Sequence, residues 1–224
     1  MAKVDFDDFV DEYDALLRAE LAFFSTGDRY FAEYKARIAR EQIDFEPARI
    51  LEFGCGIGRN IPFLRSYFPS AEVQGSDVSV KSLKAAEKSN PGTHFFFDDG
   101  TGIIPSAYDL VFVAGVLHHI APDARNEALI RIRGRLRPRG QVVIFEHNPY
   151  NPITSRIVGR CPFDPDAVLL SLGELKRRLK ESGFTVRKTG YALFFPERLA
   201  VFAGADRFLR WLPLGGQYFV VAEK

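Results

Sequence analysis

Near the start of the chain, apolar residues recur at Phe6, Phe9, Val10, Tyr13, Leu16 and Leu17. Their spacing of three and four puts all six on one helix face, with Asp5, Asp7, Asp8, Asp11 and Asp14 mostly on the other. Ser25-Thr26-Gly27-Asp28 marks a turn and an N-cap. A second helix is predicted over about Arg29 to Gln42, with Phe31, Tyr34 and Ile38 inward and Pro47 closing this helical preface. The period then changes. Ala48–Phe53 is a short apolar run that meets a glycine loop, which reads as a buried strand. Asn60 and Pro62 open a helix through Phe68. Ala71–Asp77 is a second strand, and Ser79 caps a helix that Pro91 ends. Thr93–Phe97 and Tyr108–Gly115 are the next strands. A helix runs from Asp123 to about Leu136 with Leu129, Ile132 and Leu136 inward, and Gln141–His147 is a fifth strand. Strands alternating with helices predict an α/β fold, a parallel sheet covered on both faces.

Two stretches depart from this alternation. After the fifth strand, residues 147–171 form a loop rich in Pro and Asn, and a loop of that length inside a domain is usually functional or disordered. Gly173–Ser182 then reads as a helix, Phe184–Phe195 as a strand, Glu197–Trp211 as an amphipathic helix and Gln217–Ala222 as a final strand in the sheet. The expected organisation is a helical lid over 1–46 and one main domain over 47–224. The latter carries a substrate loop at 147–171 and a cap helix at 196–213.

Composition narrows the class. The 224 residues are 46% hydrophobic, enough for a full core. Thirty Lys and Arg against 29 Asp and Glu leave a net charge of +1, which argues against a protein built mainly to grip nucleic acid or an anionic membrane. Two cysteines exclude a disulfide framework and a four-cysteine zinc site, and fit a reducing compartment. The acidic start lacks a signal peptide's basic and apolar regions, and the longest apolar run, Leu110–Leu117, is too short to span a bilayer. A cytoplasmic protein without an integral span is expected.

Candidate chemistry begins at Glu52-Phe53-Gly54-Cys55-Gly56-Ile57-Gly58-Arg59-Asn60, between a buried strand and a helix. Gly54 permits a sharp turn, and Gly56 and Gly58 let the backbone approach a ligand. A dinucleotide fingerprint would need Gly or Ala where Arg59 stands. Asp77, in Gly75-Ser76-Asp77-Val78-Ser79, lies at the end of the next strand, where a carboxylate can accept from both hydroxyls of a ribose.

These residues resemble the class I S-adenosylmethionine-dependent methyltransferases over roughly 48–147. Residues 50–60 (ILEFGCGIGRN) are similar to the family's first motif, and GSDVS at 75–79 to its acidic motif. FFFDDG at 95–100 is similar to the adenine-side motif, and the stretches around Tyr108–Ile120 and Leu136–Pro149 to the motifs at strands four and five. The resemblance implies a Rossmann-like seven-stranded sheet, mostly parallel, with the last strand antiparallel. It implies S-adenosyl-L-methionine as cofactor and S-adenosyl-L-homocysteine as product. Glu52, at the end of strand one with Phe53, would lie near the methionine amine, and Gly54, Gly56 and Gly58, with Cys55 and Asn60 in the same loop, under the methionine part. Asp77 would bind the ribose, Val78 pack on adenine, and Asp98 or Asp99, followed by Gly100, meet the adenine amine. The Ala114-Gly115 backbone would face the methionine part, and Tyr30, Tyr34 and Lys35 could reach the site if their helix closes over it.

Methyl transfer from a sulfonium is an in-line displacement in which the protein mainly positions the acceptor. A base helps where the acceptor must lose a proton, and histidine suits the task. His118 and His119 follow strand four and His147 follows strand five, at the carboxyl ends where open sheets bind ligands. Glu146 could orient a histidine or the substrate. His94 begins a strand, at the opposite edge. The alternatives are a loop-shaping role for His118-His119 and an anchoring role for His147. No metal is expected. Asn148-Pro149-Tyr150 resembles the NPPY motif of adenine-amine and glutamine methyltransferases, but follows strand five rather than strand four, so it implies no DNA target.

Cys55 reads as a small loop residue and Cys161 as a packed thiol. Arg131, Arg133, Arg135, Arg137 and Arg139 read as a solvated surface or an anion contact. The aromatic and basic stretch from Leu193 to Leu214 reads first as packing against the sheet edge, with a dimer contact there, and otherwise as a substrate cap or an interfacial helix. The expected function is methyl transfer to a small-molecule or lipid-linked acceptor, an oxygen first, with His147 or His119 as base, and an amine or carbon next, by a possible homodimer. A non-catalytic S-adenosylmethionine-binding module and an NAD-dependent oxidoreductase are the rivals.

Overall fold

The computed structural model describes residues 29–101, 107–160, 167–197, 199 and 204–224. The helix expected over Phe6–Leu17, the turn at Ser25–Asp28, Cys161, Arg198 and Phe202 lie outside them.

Helix α1 (Arg29–Gln42) leads to β1 (Arg49–Phe53), α2 (Ile61–Tyr67), β2 (Glu72–Asp77), α3 (Val80–Ser89), β3 (His94–Phe97) and β4 (Tyr108–Ala114). A 3₁₀ turn at Leu117–His119 precedes α4 (Arg125–Arg135), β5 (Leu136–His147), α5 (Pro152–Val158), α6 (Leu172–Glu181), β6 (Thr185–Ala192), α7 (Asp206–Leu209) and β7 (Gln217–Glu223). The strands form one seven-stranded sheet in the order β3-β2-β1-β4-β5-β7-β6. β7 runs antiparallel to both its neighbours, and the other pairs are parallel.

Strand periodicity builds the two faces of this sheet. Ile50, Leu110, Phe112, Val143 and Phe145 point to one side and pack with Ile38 and Ala39 of α1 and Leu64 of α2. Their neighbours Leu51, Val111, Val113, Val142 and Ile144 point to the other, against Leu129 and Ile132 of α4 and Leu175 and Leu179 of α6. Each large apolar side chain fully buried this way contributes about 1.5–3 kcal/mol.

Register gathers the strand ends. Phe53 pairs with Ser76 and Val113, Asp77 with Phe97, and Ala114 with Phe145. Gly54, Val78, Asp98, Gly115 and His147 therefore leave the sheet along one edge, and His94 sits at the opposite end of β3.

Three stretches differ from the sequence-based expectation. β5 begins at Leu136 rather than Gln141, because Leu136 pairs with Tyr108 before a register shift. Within loop 147–171, α5 forms because the Asn151 side chain accepts from the Ile153 and Thr154 N–H groups and Pro152 opens the helix. Of the helix expected over Glu197–Trp211, only Asp206–Leu209 is α-helical among the described residues. The arginine run lies on the surface, with Arg137 and Arg139 exposed, and four of its members have partners. Arg135 pairs with Asp98 and Arg137 with Asp109, while Arg131 and Arg133 donate to the carbonyls of Asp99 and Gly183.

Candidate active site

The glycine loop turns on positive φ values of 69° at Gly54 and 52° at Gly56, with Gly58 also in the left-handed region. A Cβ on Gly54 would lie 2.6 Å from Val116 Cγ2, whereas one on Gly56 would meet nothing within 4 Å. Gly54 thus lets two loops touch, and Gly56 borders open space. Cys55 is buried, and its Sγ lies where a Cβ on Gly75 would come within 2.9 Å. Burial, then the nearby Glu52 and Asp77 carboxylates, push its thiol pKa far up, so Cys55 is an inert packing residue.

The Asp77 carboxylate accepts from the Gly56 N–H at 2.7 Å and from the Ser79 N–H at 2.9 Å. It braces the loop and stands at its mouth, beside the exposed Val78. Glu52 is buried behind the loop. Its Oε1 accepts from Asn60 Nδ2 at 2.5 Å, while Oε2, like Asn60 Oδ1, has no hydrogen-bond partner among the described residues. Burial raises the Glu52 pKa to about 8, against the opposing pull of Asn60 and of Lys35. Burial likewise lowers Lys35, reaching in from α1, to about 8. A buried carboxyl with an oxygen to spare fits a cationic ligand group, so the loop suits the methionine half of S-adenosylmethionine.

The two aspartates after β3 have different surroundings. Asp98 is buried, and both its oxygens accept from Arg135 Nη2 at 3.0 Å. Asp99 is solvent-facing. Its carboxylate accepts from the Thr101 hydroxyl and N–H, which lower its pKa. Gly100 lies against Arg131.

Beyond Ala114 and Gly115 the histidines gather. Glu146 is fully buried at the end of β5. Its Oε1 accepts from the Val116 and Leu117 N–H groups at 3.1 and 2.7 Å, and its Oε2 lies 2.7 Å from His118 Nδ1. Burial pushes the Glu146 pKa up, but His118, His147 and the Leu117 N–H outweigh it and hold the group at about 2. An ionised carboxylate only accepts, so Nδ1 of His118 carries a proton. The His118 ring centroid lies 4.1 Å from that of His119 and 5.0 Å from that of His147. Burial and then the His118 charge lower both neighbours to about 3, so they are neutral at pH 7.

The spacing of Arg125 to Leu129 and Ile132 (i, i+4, i+7) places it on the inward face of α4, a signal the sequence reading passed over. It is 1% exposed. Its Nε donates to the Leu117 and Ile120 carbonyls, and its Nη atoms to Glu174 and the Val168 carbonyl. The Val168 N–H in turn donates to the His118 carbonyl at 2.9 Å. The returning limb of loop 147–171 is thereby laced to the histidine turn.

Asn148 anchors the other limb. Its Nδ2 donates to the carbonyls of Pro213 and Gly215, and its N–H to that of Gly216. Tyr34 of α1 donates to the buried Asp206 and accepts from the Leu193 N–H, and Tyr30 donates to the Phe195 carbonyl. These tyrosines tie α1 to the 193–206 region, while Lys35 alone of the three faces Glu52 and Glu146. Among the described residues no group of three or more His, Cys, Asp or Glu side chains is placed to hold a metal ion.

A family model described as a methyltransferase domain matches residues 51–142. A trans-aconitate 2-methyltransferase from Azoarcus sp. (strain BH72) is 28% identical over 137 residues, 59% of this chain and 53% of the relative. A demethylmenaquinone methyltransferase from Thermotoga maritima is 26% identical over 157 residues, 69% of this chain and 64% of the relative. The chain spans about half the length of the curated relatives it matches. A SAM-dependent methyltransferase from Archaeoglobus fulgidus superposes with a TM-score of 0.67 at 21% identity, over 95% of this chain and 100% of that one. Structural likeness at that identity speaks for the fold. Joined to it, the matched model identifies residues 51–142 as a methyltransferase domain, and the curated relatives make the chain similar to the class I S-adenosylmethionine-dependent methyltransferases.

Proposed function

We propose that the chain transfers the methyl group of S-adenosylmethionine to an oxygen of a small-molecule or lipid-linked acceptor. Bound in the glycine loop, the cofactor supplies a methyl group on a sulfonium, whose sulfur is a good leaving group. Glu52 holds the methionine amine with the oxygen that has no partner among the described residues. Asp77 holds the ribose hydroxyls, Val78 covers one face of the adenine, and Asp99, the aspartate whose carboxylate stays open to solvent, meets its amine. Gly56 and Gly115 keep the methionine part clear of side chains.

The histidine turn serves the acceptor. The acceptor oxygen attacks the methyl carbon as the carbon–sulfur bond breaks and its electron pair stays on sulfur. In the form of the ring that is protonated on Nδ1 alone, Nε2 of His118 takes the acceptor's proton, and Glu146, bonded to Nδ1, offsets the charge that forms on the ring. His119 and His147 are neutral neighbours that add no charge repelling the sulfonium. The observation that carries this reading is the Glu146–His118 pair, set at the strand edge beside a glycine loop whose buried carboxyl has an oxygen to spare.

The test is calorimetric titration with S-adenosylmethionine, S-adenosylhomocysteine and NAD, followed by transfer of labelled methyl to a panel of hydroxyl and carboxyl acceptors. Micromolar binding of the first two and labelling of an oxygen acceptor are expected. Binding of NAD alone would overturn the cofactor reading, and cofactor binding without transfer to any acceptor would leave a binding module.

A further inference from the structure

Outside the site, the most unusual surface lies on two segments that leave the sheet from one strand pair. His147 and Gln217 are register partners at the end of β5 and β7. Residues 150–160 follow the first, and residues 204–214 precede the second. They are stitched side by side: Asn151 Nδ2 donates to the Leu214 carbonyl at 2.7 Å, and Thr154 Oγ1 to the Gly216 carbonyl at 3.0 Å.

This platform presents Trp211 at 76% exposure, Phe208 at 67% and Tyr150 at 65%, together with the exposed Ile153 and Leu214. Large aromatics so exposed on neighbouring segments mark an interaction surface. Its charge has one sign. Arg156, Arg160 and Arg207 are exposed, and the one carboxylate in these two segments, Asp206, is buried against Tyr34. Aromatic and aliphatic tips ringed by arginine match the interface of an anionic bilayer: the rings enter the headgroup region and the guanidinium groups meet phosphate.

We infer that the face formed by Tyr150, Ile153, Phe208, Trp211 and Leu214 docks on anionic lipid surfaces, with Arg156, Arg160 and Arg207 as its charged contacts. The protein lies on the membrane without spanning it, and no helix among the described residues is long and apolar enough to cross one. The platform starts three residues beyond the His147–Gln217 pair, so docking places the acceptor side of the site next to the lipid. The inference rests on the proposed acceptor class for its purpose, and on the surface alone for its occurrence.

Trp211 is the one tryptophan of the chain, so its fluorescence reports on this face. The full chain is mixed with vesicles of phosphatidylcholine, with and without phosphatidylglycerol, and sedimented at low and high salt. Expected are co-sedimentation and a blue shift of tryptophan emission with phosphatidylglycerol, little of either without it, and reversal by salt. Replacing Arg156 and Arg207 by Ala should weaken partitioning about fivefold per residue. F208A should weaken it at every salt concentration.

Absence of binding overturns the inference, as does binding with unchanged emission, which would mean another face docks. Emission already blue and shielded from a soluble quencher before lipid is added also overturns it. The face would then be covered, by a second copy if light scattering gives a dimer and by the chain's own residues if it gives a monomer. Titration of the same samples with S-adenosylmethionine keeps the two readings apart, because failure on vesicles with cofactor binding intact removes only the membrane inference.

Discussion

His118 Nδ1 and Glu146 Oε2 lie 2.7 Å apart in a part of the protein sealed from water, and the carboxylate is held ionised by the groups around it. A buried charge with these partners fixes both the orientation of the ring and which nitrogen carries the proton. Replacing His118 by Ala should lower turnover of a hydroxyl acceptor by about 100-fold or more. Cofactor affinity should stay within a factor of two or so, because the proposed role of His118 is on the acceptor side. Glu146→Gln keeps the shape but removes the charge, and should shift the pH profile of kcat. A carboxylate acceptor, which has no proton to lose, should be far less sensitive to either change. Equal losses on both acceptors would make the pair structural.

Glu52 links cofactor binding to protons. With its pKa raised to about 8, the carboxyl is mostly protonated at pH 7. The cofactor's ammonium and sulfonium favour the ionised form, so binding should release a proton. Affinity should therefore rise with pH and level off above about 8. Titrations at pH 7 in buffers of different ionisation heat would read the proton directly. Glu52→Gln should abolish the release, and a release that persists would assign it to another group.

The glycine loop separates binding from stability. Gly56→Ala puts a methyl into open space at a strained φ, at a stability cost of about 1 kcal/mol. It should weaken cofactor binding by more than that cost. Gly58→Ala drives a Cβ to within 2.6 Å of Asn90 Nδ2 and 3.1 Å of the Ala86 Cβ. It should lower Tm further than Gly56→Ala. Asp77→Ala should weaken cofactor binding by about ten- to a hundredfold, the worth of charged hydrogen bonds. Thermal melts and calorimetry on the three variants would check the order.

Acid should unfold the protein from the histidine side first. His119 and His147 have folded pKa values of about 3, below the ordinary 6.5. The unfolded chain takes up their protons first, so their contribution is complete above pH 6.5 and is lost as pH falls toward 3. Glu146, held at about 2 against 4.5, adds a further loss below pH 4.5. Denaturant midpoints should fall from pH 7 to 5, and the double variant H119A/H147A should flatten that slope. An unchanged slope would place the acid sensitivity elsewhere.

The central sheet was legible because its strands are short apolar runs broken by glycine, and the Glu52–Asn60 loop stands where strand and helix patterns meet. Asp77 was legible for the same reason, since its place follows from the strand that ends there. The partners of Glu146 were not legible. Val116, Leu117 and His118 lie about 30 positions away in the chain, and only the parallel pairing of β4 with β5 brings them to its carboxylate. Asp98 and Asp99 looked equivalent until Arg135 was found on one of them. The tie from Tyr34 to Asp206 spans 172 positions and leaves no trace in local periodicity.

Arg125 has a consequence for how the acceptor side speaks to the histidines. Its guanidinium ties Val168 to the carbonyls of Leu117 and Ile120, and Val168 itself is bonded to His118. Whatever lifts the 167–170 strip must tug on the backbone that aims the His118 ring. On the proposed mechanism the strip would act as a latch: seated, it would hold the imidazole in line with Glu146, and lifted by a misfitting molecule, it would let the ring drift out of alignment. Discrimination between acceptors can then be exercised through backbone tension, at a distance from any atom the acceptor touches.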